Sequence, residues 1–270
     1  MTATVQVRVS ILLLQAWCTT LGKYVYVNER MTWDDAQSYC REFHTDLAPV
    51  VNREEIRKLR EISGDVFSFW TGLVRNDGDE WMWSGGGAAW EILWGTGQPN
   101  GLQIEDAGLM INYWIHDAKR DAQNPFFCFD AIVVREEACW EEALGHCRER
   151  HSDLASVTSH TEMLLIQKQL EKNLSTEHVW LGLRFFPGGW RWVDKERLTY
   201  EAWNEHGRPS CPAARQKCGS FKVTGWRPSE GGILGTNNTL VGVSLGESDL
   251  GEGSVWEAHD CEQKLYFVCY

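Results

Sequence analysis

Nowhere in this chain are two cysteines separated by two residues, so the spacing on which zinc knuckles and thioredoxin-like redox pairs depend is missing. Also absent are a G-x-S-x-G elbow, a phosphate loop, an H-E-x-x-H helix and a nucleotide fingerprint. The one glycine-rich candidate, "GTGQPNG" from Gly95 to Gly101, lacks the strand-then-helix setting that such a fingerprint needs. No enzymatic activity is expected. Basic charge is scarce: 26 Lys and Arg stand against 38 Asp and Glu, a net charge of -12. Nucleic acids and anionic membranes are held mainly through such cations, so neither is an expected partner. Beyond the N-terminus no apolar run approaches the roughly 18 residues needed to span a bilayer.

What is present begins with "VRVSILLLQAWCTTLG", Val7 to Gly22: one arginine, an apolar run, then small residues suited to cleavage near Cys18 or Gly22. Residues 1–22 read as a secretory signal, with a buried first strand as the alternative. Cysteine arithmetic agrees with export to the extracellular space. The chain has nine, and removing a signal that contains Cys18 leaves eight, a number that can pair completely. Two sequons, at Asn173 and Asn237, could then carry glycans. Fifteen tryptophans suit either an aromatic core or a surface that stacks on sugar rings, and the core is the expected place for most of them.

The chain says the same thing twice. "WDDAQSYCREFHTDLAPV", Trp33 to Val50, matches "WEEALGHCRERHSDLASV", Trp140 to Val157, at ten of eighteen positions with an offset of 107. The echo continues in "WTGL" (Trp70 to Leu73) against "WLGL" (Trp180 to Leu183), in "WMW" against "WRW", and in "PFFC" against "YFVC". A period above a hundred residues means two similar domains and not a solenoid. They are placed at 23–130 and 131–270. In each, Trp, Ala and Cys recur at helical spacing (Trp33, Ala36 and Cys40 after Thr32), and a second helix follows a capping signature, Asn52 with Glu55 or Ser159 with Glu162. Short aromatic strands come next, "FWTGL" and "EWMWS", joined through the turn "RNDGD". Two helices followed by an aromatic-rich antiparallel sheet give an α+β fold in each domain.

Taken as an ordered set that occurs twice, the helix cysteine, the W-x-G-L strand, the W-x-W strand, an x-P-x loop and the closing F-x-C resemble the C-type lectin-like domain. The pattern is similar to tandem, mannose-receptor-like members of that family and covers about Tyr24 to Tyr270. The resemblance implies disulfides Cys40–Cys128, Cys147–Cys269 and Cys218–Cys261. Cys139 and Cys211 remain, and their pairing with each other is the economical expectation.

It also implies a calcium site that holds a sugar. Ligands in the family come from a Glu-Pro-Asn or Gln-Pro-Asp triplet, a downstream Glu, and an Asn-Asp pair before the third cysteine. The first domain offers Gln98-Pro99-Asn100, then Glu105, then His116-Asp117. Gln98, Asn100, Glu105 and Asp117 are thus the expected metal and sugar ligands, while His116 replaces an oxygen donor with an imidazole ill suited to a hard cation. The triplet also keeps no carboxylate. Where the family places an inner disulfide, this domain has Ala107 and Arg120, so both cysteines are gone together. A weakened calcium site is the expectation.

The second domain has Arg208-Pro209-Ser210 at its triplet and Glu257-Ala258 at its pair. A cation at Arg208 would repel calcium, so this domain is expected to be calcium-independent. Between Trp226 and Trp256 runs a long Gly-rich insertion, at about 227–255. His44 and His151 recur in both copies and read as structural, and His259-Asp260 reads as a solvated turn. Two functions follow: a secreted lectin that binds glycans or glycoproteins through calcium in its first domain, or a metal-free module that binds a protein ligand.

Overall fold

Thr32 accepts a hydrogen bond from the Asp35 amide at 3.2 Å, and Asn52 accepts one from the Glu55 amide at 2.9 Å. Each satisfies a backbone donor that the first helical turn would leave unpaired, and two acidic residues follow each cap where the helix dipole favours them. These caps open the helices α1 (Trp33–Phe43) and α2 (Arg53–Ser63). The computed structural model describes residues 18–64, 66, 68–101, 104–173, 176–223 and 255–270. Residues 1–17 of the expected signal, the sequon at Asn237 and most of the expected insertion lie outside them. Asn173 is the last residue of a helix.

In the first repeat the strands are β1 (Cys18–Leu21), β2 (Tyr24–Met31), β3 (Asp46–Leu47), β4 (Ser68–Arg75), β5 (Trp81–Trp83), β6 (Ala107–Ile111), β7 (Trp114–Ala118) and β8 (Asn124–Phe129). They form a sheet of order β1-β2-β8-β4-β6-β7, with β3 on β8 and β5 on β4. The second repeat has β9 (Ile132–Ala138), α3 (Trp140–Arg150), α4 (His160–Asn173), β10 (His178–Phe186), β11 (Gly189–Trp192), β12 (Cys218–Lys222), β13 (Val255–His259) and β14 (Leu265–Cys269). Its sheet runs β13-β12-β10-β14-β9, with β11 on β10. This is the α+β plan, twice over. Each sheet also holds one parallel pair, β4 with β8 and β10 with β14, which brings the closing cysteine strand beside the W-x-G-L strand.

The repeated tryptophans are structural pins. The indole of Trp33 donates to the Thr71 carbonyl and that of Trp140 to the Leu181 carbonyl, both at 2.9 Å. In return Trp70 donates to the Met31 carbonyl and Trp180 to that of Ala138. All four rings are buried, so each pair buries a large apolar area and still satisfies its indole nitrogens. The glycine of W-x-G-L has a reason too. A Cβ at Gly72 would stand 2.8 Å from the Leu47 carbonyl oxygen, and one at Gly182 would stand 2.6 Å from that of Leu154. The strand passes too close to the neighbouring backbone for any side chain.

Disulfides join Cys40 to Cys128, Cys147 to Cys269 and Cys218 to Cys261. In the chain-entropy account, loops of this size contribute about 4–5 kcal/mol each. Cys139 and Cys211 are free, which corrects the expectation that they pair. Separate anchors hold their backbones. Cys139 is the N-cap of α3, tied by its amide to Glu142, whereas Cys211 sits exposed on a loop whose Pro209 carbonyl is bound by the Trp190 indole.

One core runs through both repeats. Tyr24, Val50, Ile56 and Phe129 of the first pack in the same cluster as Val157, Met163, Ile166 and Tyr270 of the second, with the Phe129 and Tyr270 rings edge-on at 5.6 Å. Inside this seam sits a buried polar group. Lys23 pairs with Glu162 and lies 3.5 Å from Glu55, and the Thr158 hydroxyl donates to Glu55 at 3.1 Å. Both carboxylates belong to the capping signatures, and each also accepts a backbone amide ahead of its helix, from Val51 and Thr158. Among the described residues no helix is long and apolar enough to cross a membrane.

Candidate functional site

The loop from Trp94 to Asp106 leaves the sheet after β5 and returns at β6. Strands β6 and β7 form an antiparallel hairpin that sets Asp117 opposite Gly108. From there the Asp117 carboxylate, almost fully buried, accepts the Asn100 amide at 2.9 and 3.0 Å and the Gly101 amide at 2.7 Å. Glu105, from the returning part of the same loop, also meets Gly101. Its carboxylate occupies the space that a side chain at Gly101 would fill, so the glycine is required by the close approach. Gln98 precedes a cis peptide to Pro99, and its Oε1 is buried without a hydrogen-bond partner. The fold therefore gathers Asn100, Glu105 and Asp117 around Gly101, with Gln98 three residues away in the same loop. His116 packs against Gly95, where a Cβ would lie 2.8 Å from its Nε2.

Does this set suit a calcium ion? Two carboxylates, one primary-amide oxygen without a partner and a second amide on Asn100 are hard oxygen donors of the right kind. An acceptor buried without a partner carries a desolvation cost that a cation would offset. Against this, Asp117 already serves two loop amides, and about six to eight oxygens are needed, so water or ligand hydroxyls must supply the remainder. The set fits a weak site.

Arg120 takes over where the inner disulfide is missing. Its Nε donates to Asp106 at 2.8 Å and its Nη1 to Asp34 at 3.0 Å, while the guanidinium lies 4.9 Å from the centre of the Trp33 ring. The acidic "RNDGD" stretch is a tight turn: Asn76 donates its amide to the Glu80 carbonyl at 2.9 Å, and Asp79 takes a positive φ.

The model of the Lectin C-type domain matches this chain twice, over residues 29–128 and 136–231. The chain belongs to the C-type lectin family. Human lymphocyte antigen 75 is 24% identical over 278 residues, covering 88% of this chain and 14% of that protein. Horse E-selectin is 36% identical over 135 residues, covering 49% of this chain and 20% of that protein. The chain thus spans a small part of the relatives that it matches. Among solved structures, human lithostathine aligns with a TM-score of 0.37 and 22% identity, covering 42% of this chain and 95% of that one. The mouse scavenger receptor C-type lectin carbohydrate-recognition domain aligns with a TM-score of 0.37 and 23% identity, over 41% and 92% of the two chains. The two sequence relatives are named as an antigen and a selectin, not as enzymes.

In the second C-type lectin repeat the triplet is engaged elsewhere. Arg208 pairs with Glu201 at 2.7 Å, and the Pro209 carbonyl accepts from Trp190 at 2.8 Å. Ala258 has no side-chain donor to offer, and Glu257 is hydrogen-bonded to His178 at 3.0 Å. Sequence reasoning missed this last contact because His178 lies 79 positions away and is joined to Glu257 only through the sheet. It also missed a cleft of about 870 Å³ at the junction of the repeats, lined by Lys58, Trp83, Trp90, His160, Glu196 and Tyr200. Only Trp90 hinted at it, by standing isolated from the strand tryptophans; it is 90% exposed.

Proposed function

We propose that this protein is an extracellular recognition protein that binds glycans or glycoproteins through the long loop of its first C-type lectin repeat. Calcium would be held there by Gln98, Asn100, Glu105 and Asp117, and the second repeat, at about 131–270, would act without calcium. The observation that carries this reading is the meeting of the Asp117 and Glu105 carboxylates at Gly101, in a loop where Gln98, three residues earlier, has a buried Oε1 without a partner. A cation gives that oxygen a partner and offers sugar hydroxyls the rest of its coordination shell. Three disulfides support an oxidising, extracellular setting, and glycans at Asn173 and Asn237 would suit it.

A second reading, calcium-free binding of a protein ligand, has its own support: Asp117 holds the loop through the Asn100 and Gly101 amides with no cation involved. Melting the full chain in calcium and then in chelator separates the two. A ligand that binds only the folded form raises its stability, by about 2.7 kcal/mol at a hundred times its Kd. A calcium-dependent rise that Glu105→Gln abolishes, together with chelator-sensitive retention on immobilised glycans, supports the first reading. Identical melting curves would leave the second.

A further inference from the structure

Three side chains in the second repeat have no part in the reading above. His178 opens β10, while Glu257 and His259 lie on β13, and β12 runs between them. The register pairs His178 with Lys222, Ser220 with Glu257 and Cys218 with His259, so period-two alternation puts all these side chains on one face. At the crossing point stands Ser220, small and fully buried. His178 and Glu257 reach over it and meet. The Nε2 of His178 lies 3.0 Å from Glu257 Oε2, that of His259 lies 3.6 Å from the same oxygen, and the two rings are 4.5 Å apart. All three ligand atoms fall within 4.8 Å of one another.

We propose that His178, Glu257 and His259 form a zinc-binding site. A tetrahedral zinc ion with bonds of about 2.0–2.1 Å holds its donors roughly 3.3 Å apart, between the two separations seen here. Two imidazoles and one carboxylate favour zinc over calcium or magnesium, which take oxygen. The supporting groups are in place. Gln263 Oε1 lies 3.1 Å from His259 Nδ1 and so draws the ring proton there, which leaves the Nε2 lone pair turned to the site. Asn204 donates to the other Glu257 oxygen at 3.4 Å, leaving Oε2 for the metal. Lys222, 3.5 Å from that outer oxygen, is 40% exposed and also has Glu177 within 3.9 Å, so it can retain a carboxylate partner when zinc binds. Three protein ligands leave one position for water or for a group on a bound ligand.

The test uses the full, disulfide-bonded chain with every cysteine outside the three disulfides, Cys18 included, alkylated, so that thiols cannot take the metal. Equilibrium dialysis should find one zinc per chain, and cobalt in its place should give visible bands of a nitrogen–oxygen site without a thiolate charge-transfer band. His178→Ala should weaken zinc binding at least tenfold. Gln263→Ala should weaken it by about 10- to 100-fold, as loss of a supporting hydrogen bond does elsewhere. His259→Gln keeps a polar side chain of similar reach, and its metal-free melting temperature shows whether loss of zinc reflects loss of fold. Glu105→Gln, in the other repeat, should leave zinc binding unchanged, which separates this site from the calcium reading. Failure to bind one equivalent of zinc, or equal binding by the His178→Ala/His259→Gln double variant when that variant is folded, overturns the proposal.

Discussion

Arg120 in the first repeat stands where Cys261 stands in the second: each carbonyl accepts the amide of its helix-opening tryptophan, Trp33 or Trp140, at 2.9 Å. In the second repeat a covalent bond fixes this corner, with a Cα separation of 5.2 Å to Cys218. In the first, the guanidinium does so through Asp106, Asp34 and the Trp33 ring. Arg120→Ala should therefore cost about 1–2 kcal/mol, a modest sum because the ion pairs are partly exposed. The double change Ala107→Cys/Arg120→Cys should form a disulfide, detected by mass spectrometry of unreduced peptides. Its short loop should add about 2–3 kcal/mol, read as a higher melting temperature.

Removing Lys23 should be far more damaging. It is the cation between two carboxylates in an apolar seam, and Lys23→Met would leave Glu55 and Glu162 buried without it. Breaking such a group from one side costs about 3–5 kcal/mol. Urea unfolding of the single variant and of Glu55→Gln/Lys23→Met/Glu162→Gln gives the check. The triple variant should recover most of the loss, since no uncompensated charge is left inside.

Stability should fall as pH rises above 10. Burial, reinforced by nearby carboxylates, holds the phenols of Tyr24 and Tyr270 well above their ordinary 10.0. Burial by itself would lower the Lys23 value, but attraction to Glu162 and Glu55 overcomes it and raises that value above 10.5. All three groups keep their protons longer when folded. Their stabilisation is complete below the unfolded values and is lost as pH climbs through the folded ones. Absorbance at 295 nm should show that these two tyrosines ionise only on unfolding, and Tyr24→Phe/Tyr270→Phe should flatten the alkaline decline.

Glu105 and Asp117 should respond differently to substitution. Asp117→Ala removes the acceptor for two loop amides and should cost about 1.5–3 kcal/mol even in chelator, the value of hydrogen bonds to a charged group. Glu105→Gln should leave metal-free stability within about 0.5 kcal/mol, since Gln keeps the shape that packs against Gly101. Differential scanning calorimetry with and without calcium resolves both effects.

Local rules made much of this readable in advance. Thr32, Asn52 and Ser159 announce helices through their caps, and the offset between Trp33 and Trp140 announces the duplication. The loop ligands could be named because they cluster between Gln98 and Asp117. Long-range geometry could not be read in this way. Glu55 and Glu162 look like ordinary capping residues, and nothing near them in the chain shows that they share a lysine across the seam. The meeting of His178 with Glu257 depends on a strand register that sequence periodicity does not specify. Cys139 and Cys211 illustrate a different limit: counting thiols to an even total says nothing about where the backbone holds them.

The position equivalent to Lys23 in the second repeat, 107 residues on, is Asp130, an anion hydrogen-bonded to His44. The tandem is consequently lopsided. Across the seam Glu162 draws its cation from the other half of the molecule, whereas Glu55 has Lys23 within its own half. The ammonium that both modules share across their junction is thus contributed by one of them alone.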